Sequence, residues 1–299
     1  MNHNFKISAA PHLRSKMTVG SIMLYVIIAL LPTTIFGIYT FGVLALKVLA
    51  ITVGTAVLTE YLFQKILRKK VTIGDFHSVL TGMLLALNLP PTTPWWICVL
   101  GGMIAVLIMK PTKILNAVLA TKCLLLVLFA THITKFVFEG ERVVTPLQQM
   151  GAGESVDLLS MFLGNTAGAI GATSIVAILI GAAFLIVMEI IDVRIPISYL
   201  FGFIAFIMIF SDRGLDVQYL VAQLCGGTLM LGVWFMATDY MTSPITKTGK
   251  VLYGFIVGIT TGFLRVFMGM TDGVAFAILF GNILVPLLER ITKIRCLEN

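Results

Sequence analysis

Two short segments concentrate the side chains able to do chemistry. The first is Gly164-Asn165-Thr166-Ala167-Gly168-Ala169-Ile170-Gly171-Ala172-Thr173-Ser174. Glycines let a backbone approach a ligand closely, and successive N–H groups at a helix start bind phosphate. Close helix packing through small residues uses the same composition, and the residues alone leave both readings open. The second is Ala237-Thr238-Asp239-Tyr240-Met241-Thr242-Ser243-Pro244-Ile245-Thr246-Lys247-Thr248-Gly249. Its five Ser/Thr hydroxyls, one acid and one lysine exceed what a capped turn needs and suit an ion or a polar cofactor group, with Asp239, Thr242 and Ser243 as the candidate contacts. Five charges also fall in or near apolar stretches: Lys47, Glu60, Lys122, Glu189 and Arg265. Such charges line a bundle interior or cavity, or snorkel near a helix end. The ends suit Lys47 and Glu189, while Thr260-Thr261-Gly262 before it and Gly269 after it favour a buried Arg265.

The elements that must position these residues are membrane helices. The chain of 299 residues is 58% hydrophobic and 12% charged, against about 25% charged in a soluble domain. Apolar spans fall at approximately 21–39, 41–63, 79–90, 95–109, 114–131, 174–191, 195–210, 217–237, 250–268 and 273–290. The expected class is therefore all-α and polytopic, with about ten transmembrane helices. Residues 1–20 read as a polar, basic cytoplasmic arm with no cleavable signal peptide, and 21–299 as one transmembrane domain.

With ten spans and a cytoplasmic amino terminus, fifteen of the twenty-one basic residues lie inside. Only Lys135, Arg142 and Arg213 lie outside, with seven acids. This bias sets the orientation and places both termini in the cytoplasm. It also explains the net charge of +7 without nucleic acid. The longest non-apolar stretch, about 132–160, falls outside, and a loop of that length is usually functional or mobile. Cys98, Cys123, Cys225 and Cys296 form no CxxC pair, and no metal-ligand signature is present. A cluster shared with a partner subunit stays open.

Thr92-Thr93-Pro94 follows the third span and Thr242-Ser243-Pro244 the eighth. They lie on opposite sides, as an inverted five-helix repeat requires. Taken alone, these residues describe a polytopic protein with a polar interior, fitting a transporter, a channel or a redox subunit.

Several stretches carry a resemblance, in order and from end to end. They are Ser8-Ala9-Ala10-Pro11-His12 leading into Ile28-Ala29-Leu30-Leu31-Pro32; Leu80-Thr81-Gly82 through Asn88-Leu89-Pro90-Pro91; Met161-Phe162-Leu163-Gly164-Asn165; Ala237-Thr238-Asp239-Tyr240 with Thr242-Ser243-Pro244; and Asp272-Gly273-Val274-Ala275-Phe276-Ala277-Ile278-Leu279. The chain resembles the RnfD family of the Rnf complex, which is related to the NqrB family of the sodium-pumping NADH:quinone oxidoreductase. The resemblance implies a membrane component of a prokaryotic cytoplasmic-membrane complex, among iron–sulfur and flavin subunits. That complex passes electrons between ferredoxin and NAD and moves Na+ or H+. The RnfD component typically carries FMN, joined through its phosphate to a threonine ending a Ser/Thr-Gly-Ala-Thr motif before Pro-Leu.

The matching stretch here is Arg142-Val143-Val144-Thr145-Pro146-Leu147, which keeps Thr-Pro-Leu but not Gly-Ala. The resemblance thus places FMN on Thr145, with Gly168, Gly171, Thr173 and Ser174 around it. Where the family has Gly-Glu-Thr-Ser, this chain has Gly171-Ala172-Thr173-Ser174, a new Gly-Ala-Thr that makes Thr173 a rival attachment site. Lys110-Pro111-Thr112-Lys113-Ile114-Leu115-Asn116 keeps little of the family's Gly-rich, Asn-Phe-Asn-Pro segment. The rival functions are a solute channel or secondary transporter, and a flavin-free scaffold in the same complex.

Overall fold

A computed structural model of the chain describes residues 18–68, 73–109, 114–138, 141–151, 156–213 and 216–292. Most of the amino-terminal arm, the Lys110–Lys113 segment and Cys296 lie outside the described residues.

Every expected apolar span contains a helix. The first five are α1 (Val19–Phe41), α2 (Val43–Ile66), α3 (His77–Leu87), α4 (Trp95–Ile104, continued by a π turn over Ala105–Met109) and α5 (Ala117–Ile133). A connection follows, holding a two-residue hairpin, β1 (Val137–Phe138) and β2 (Glu141–Arg142), then α6 (Pro146–Gly151) and α7 (Leu158–Leu163). The second half has α8 (Ile175–Val187), α9 (Arg194–Phe210), α10 (Val217–Cys225), α11 (Leu229–Leu231, continued by a π turn over Gly232–Met236), α12 (Lys247–Val266) and α13 (Gly273–Thr292).

Among the described residues, four helices are long and apolar enough to cross a bilayer alone: α1, α2, α12 and α13. A fifth span is formed if α10 and α11 are taken as one segment, bent by 60°. The other five apolar helices are shorter. At 1.5 Å per residue the 11-residue α3 rises only about 16 Å, so it ends inside the bundle, where Asn88-Leu89-Pro90-Pro91 stops it. The chain is a multi-pass, all-α membrane protein whose one short hairpin among the described residues lies in the connection between the halves.

The ends of the helices define two ends of the bundle. The starts of α1, α3 and α5 line one cavity together with Asp239. The residue after α3, the last residue of α5 and the residues just before α8 and α13 line another with Thr145. Thus α1 and α8 begin at opposite ends, and so do α5 and α13. Each of these pairs packs together. First helix against first and fifth against fifth, running oppositely, is the arrangement an inverted repeat demands.

Packing explains why the second half holds together without a water-driven core. Gly254, Gly258 and Gly262 recur every four residues along α12, and α9 lies directly on that stripe. A methyl on Gly258 would strike the backbone of Tyr199 and Phe203. Small-residue stripes of this kind let helix backbones approach and gain dispersion energy in lipid. Tyr199 and Thr261 hydroxyls then close a buried hydrogen bond at 2.6 Å across the same seam.

Candidate functional site: the Thr145 cavity

Thr145 stands immediately before α6, and Thr145-Pro146-Leu147-Gln148 has the spacing of a capping box. Only half of the box is made. Gln148 Oε1 accepts from the Thr145 N–H at 3.1 Å, while the Thr145 hydroxyl makes no bond. Proline at the first helical position suits a helix start, because the donor it lacks would have no partner there. The threonine hydroxyl is thereby left free by the local fold.

That hydroxyl is one of three orphans in one place. Thr145 Oγ1, Thr173 Oγ1 and Asn88 Oδ1 are buried side-chain atoms with no hydrogen-bond partner among the described residues. All three residues line the same cavity, with Thr166, Gly168, Gly226, Gly227 and Asp272. A buried polar atom without a partner costs about 1–3 kcal/mol, so three around one cavity mark a place prepared for a polar group. The cavity is about 40 Å³, room for a phosphate-sized group, whereas sites for whole cofactors run to hundreds of cubic ångströms. The residues present therefore fit the phosphate end of FMN. A flavin ring does not fit inside the enclosed volume.

The other predicted residues divide sharply. Gly171 donates its N–H to Leu87 O at 2.8 Å, and a methyl there would lie 2.6 Å from Leu87 Cβ. This glycine is fixed by the close approach of the 165–174 loop to the end of α3. Ser174 caps α8, its hydroxyl accepting from the Ala177 N–H at 3.3 Å. Gly168 and Thr173 line the cavity itself.

Asp239 and Thr242 sit at the opposite end of the bundle, in a separate cavity of about 90 Å³ with His77, Asn116 and Thr238. Asp239 accepts from Asn116 Nδ2 and Thr242 Oγ1, each at 3.2 Å, and from the Met241 N–H at 3.4 Å. Ser243 belongs to the following turn, donating its N–H to Asp239 O at 3.1 Å. The structure does not bring these three to the Thr145 cavity.

Charges in the spans also separate by place. Lys47 and Glu189 are exposed. Glu60 is buried and accepts from Gln64 at 2.9 Å. Lys122, 1% exposed, pairs with Asp272 at 2.7 Å across the α5–α13 seam. Arg265 is buried and grips the broken tenth helix: it donates to Gln223 O, to Gln223 Oε1 at 3.3 Å and to Gly226 O at 2.9 Å. It also lies over the Phe203 ring at 5.3 Å. Gly227 turns the chain there with φ +67°, and a side chain on it would meet Leu147 and Arg265. Cys98 and Cys123 are buried free thiols, and no group of three metal-ligating side chains occurs among the described residues.

Asn88, Asp272 and the Gly226-Gly227 break are site residues that sequence reasoning did not single out. One signal could have found Asp272. It lies 150 residues from Lys122, the offset that separates the two Thr-x-Pro turns.

Comparison with known proteins finds relatives over nearly the whole chain. The chain is 38% identical to the D subunit of the Na(+)-translocating ferredoxin:NAD(+) oxidoreductase complex of Acetobacterium woodii, over 98% of this chain and 95% of the relative. It is 31% identical to the D subunit of the proton-translocating ferredoxin:NAD(+) oxidoreductase complex of Clostridium ljungdahlii, covering 97% and 95%. The D subunit of the ion-translocating oxidoreductase complex of Methanosarcina acetivorans is 32% identical, covering 96% and 94%. The family model described as the NQR2, RnfD, RnfE family matches residues 6–297, and the chain belongs to that family.

Proposed function

We propose that this chain is a membrane component of an ion-translocating ferredoxin:NAD oxidoreductase complex and that it carries FMN as a phosphodiester on Thr145. One observation supports the flavin reading above the rest: the free, buried Thr145 hydroxyl shares a phosphate-sized cavity with two further orphan polar atoms. FMN supplies one-electron chemistry, and the protein binds it, orients it and tunes it. Thr145 Oγ1 would hold the phosphate, with the unpartnered Thr173 hydroxyl as a donor for its free oxygens. Asn88 Oδ1, an acceptor, would take a hydrogen bond from an N–H or O–H of the ligand. The complex sits in the cytoplasmic membrane with its other membrane and peripheral subunits, and moves Na+ or H+. This chain is not catalytic alone.

A flavin-free scaffold is the second reading. Val143 and Val144 replace the family's small residues, and the Thr145 hydroxyl is shielded in the absence of flavin. The deciding experiment is a denaturing gel of the full-length chain co-expressed with its flavin transferase, viewed under ultraviolet light. A fluorescent band lost in Thr145→Val supports the flavin reading. A dark wild-type band ends it and leaves the scaffold.

A further inference from the structure

The wall behind the Thr145 cavity holds an unbalanced charge. Glu60, Lys122 and Arg265 are the buried charged residues among those described, and two of the three stand at this end. Lys122 Nζ donates to Asp272 Oδ1 at 2.7 Å, and Asp272 lines the cavity. Arg265 Nη2 donates to Gly226 O at 2.9 Å, and Gly226 also lines it. Arg265 has no ion-pair partner among the described residues; its bonds go to uncharged oxygens of Gln223 and Gly226. The remaining neighbours do not correct the balance. Tyr199 and Tyr219 are uncharged phenols, and Asp212 and Arg213 at the rim are exposed and opposite in sign. Among the described residues this end holds two buried cations and one cavity-lining carboxylate, which Lys122 engages, leaving one positive charge in excess.

A buried, uncompensated charge is strongly unfavourable in a low-dielectric interior. Hydrogen bonds to carbonyl oxygens and the Phe203 face reduce that cost without cancelling the charge. A phosphate joined to two alcohols carries one negative charge, the amount this wall lacks. We propose that Lys122, Asp272 and Arg265 form a preformed counter-charge for a single phosphodiester anion held at Thr145. The proposal rests on the flavin reading above and adds what holds the anion. Lys122 and Arg265 are positioning residues in it, acting through Asp272 and the Gly226 turn.

The test compares thermal unfolding of the full-length chain, purified with and without flavin attachment, across variants of the wall. Its readout is the rise in Tm on attachment, from which simple packing damage subtracts. Attachment raises Tm in the wild type by about 2 °C, the size expected of one modest interaction in a chain of this length. Asp272→Asn, which enlarges the positive excess, gives a larger rise. Arg265→Gln, which removes the excess, gives none, while Arg265→Lys restores it. If Asp272→Asn does not fold, the two Arg265 variants carry the comparison.

A flavin-dependent rise that is equal in Arg265→Gln and wild type overturns the proposal while leaving the flavin reading intact. A dark gel band in every variant defeats the flavin reading itself, and the proposal with it. Inorganic phosphate is the remaining source of such an anion. Stabilisation of Thr145→Val by phosphate, beyond an ionic-strength control, would assign the site to a free anion and also overturn the proposal.

Discussion

The two end cavities are made from corresponding parts of the two halves and carry different charges. Each lies where the third helical segment of one half ends and the fifth helix of the other half begins. At one end those parts are Thr238-Asp239 and Asn116; at the other they are Asn88 and Asp272. The Asp239 end holds its own anion, and that carboxylate has Asn116, Thr242 and the Met241 N–H as partners. Among the described residues, the Thr145 cavity has one lining carboxylate, engaged by Lys122, a second buried cation nearby in Arg265, and three polar atoms with nothing to bond. An inverted repeat duplicates a framework; side chains at the helix ends then give each copy its chemistry. What differs is the number of unpartnered polar atoms: Trp234 Nε1 alone lines the Asp239 cavity, against Thr145 Oγ1, Thr173 Oγ1 and Asn88 Oδ1 at the other end, among the described residues.

The largest expected effect comes from breaking the buried pair at the Thr145 end. Asp272→Ala strands Lys122, which is 1% exposed, and such a loss costs about 3–5 kcal/mol. Lys122→Met costs less, because the Asp272 side chain is already 24% exposed and water can take over part of the solvation. Unfolding in detergent, followed by helical signal, orders the two. Equal losses would mean that the pair is not buried from the Lys122 side.

Arg265→Met comes next. It leaves Gln223 O and Gly226 O without their donor at the helix break, and removing a buried charge offsets part of that loss, for a net cost of about 1–3 kcal/mol. The same unfolding assay measures it. Wild-type stability in that variant would show that the broken helix does not depend on the guanidinium. Gly258→Val tests the packing that fixes both ends relative to each other. Its side chain meets the α9 backbone, and overpacking of this kind costs about 1–3 kcal/mol. An unchanged melting temperature would contradict the tight α9–α12 seam.

Asp239→Asn sharpens the comparison from the other side. It removes the charge at the Asp239 end and leaves the flavin band as bright as in the wild type. Loss of the band would tie the two cavities together and undo their separation.

The smallest effect concerns Asp192, in the turn between α8 and α9. Burial alone would push its carboxyl up; the Arg194 N–H, together with the Lys250 and Arg194 side chains, outweighs this and holds it below the ordinary carboxylate range. Lys250 lies at 3.0 Å and Arg194 at 3.1 Å. A depressed value stabilises the fold above the unfolded carboxylate range, and the contribution is lost as pH falls through the folded value. Asp192→Asn therefore costs about 0–1 kcal/mol at neutral pH and nothing once the wild-type group is protonated. A difference that persists in acid would show that the effect is not electrostatic.

How much of this was legible beforehand follows from the kind of signal each feature leaves. The apolar spans were readable because about 20 residues without charge have few other uses. The bend of 60° between α10 and α11 was not, because Cys225-Gly226-Gly227-Thr228 reads equally well as a packing stripe inside one helix. Thr145 was reached through resemblance alone, since a lone threonine before Pro-Leu carries no signal of its own. Lys122 showed as a charge in an apolar span, but its partner could not be named, because Asp272 sits at a helix start where an acid is ordinary. Arg265 is readable as buried from Thr260-Thr261-Gly262 before it and Gly269 after it, whereas the carbonyls it holds are backbone atoms that no sequence displays. Asp239, Thr242 and Ser243 stand out by side-chain type as contacts for an ion or a polar cofactor group, and the charge bias of the loops already puts their turn on the opposite side from Thr145.

The most direct test of the central claim is peptide mass mapping of the full-length chain co-expressed with its flavin transferase. FMN mass on the peptide containing Thr145, absent from Thr145→Val, is the predicted result. FMN mass on the Thr173 peptide, or no added mass on either, would contradict it.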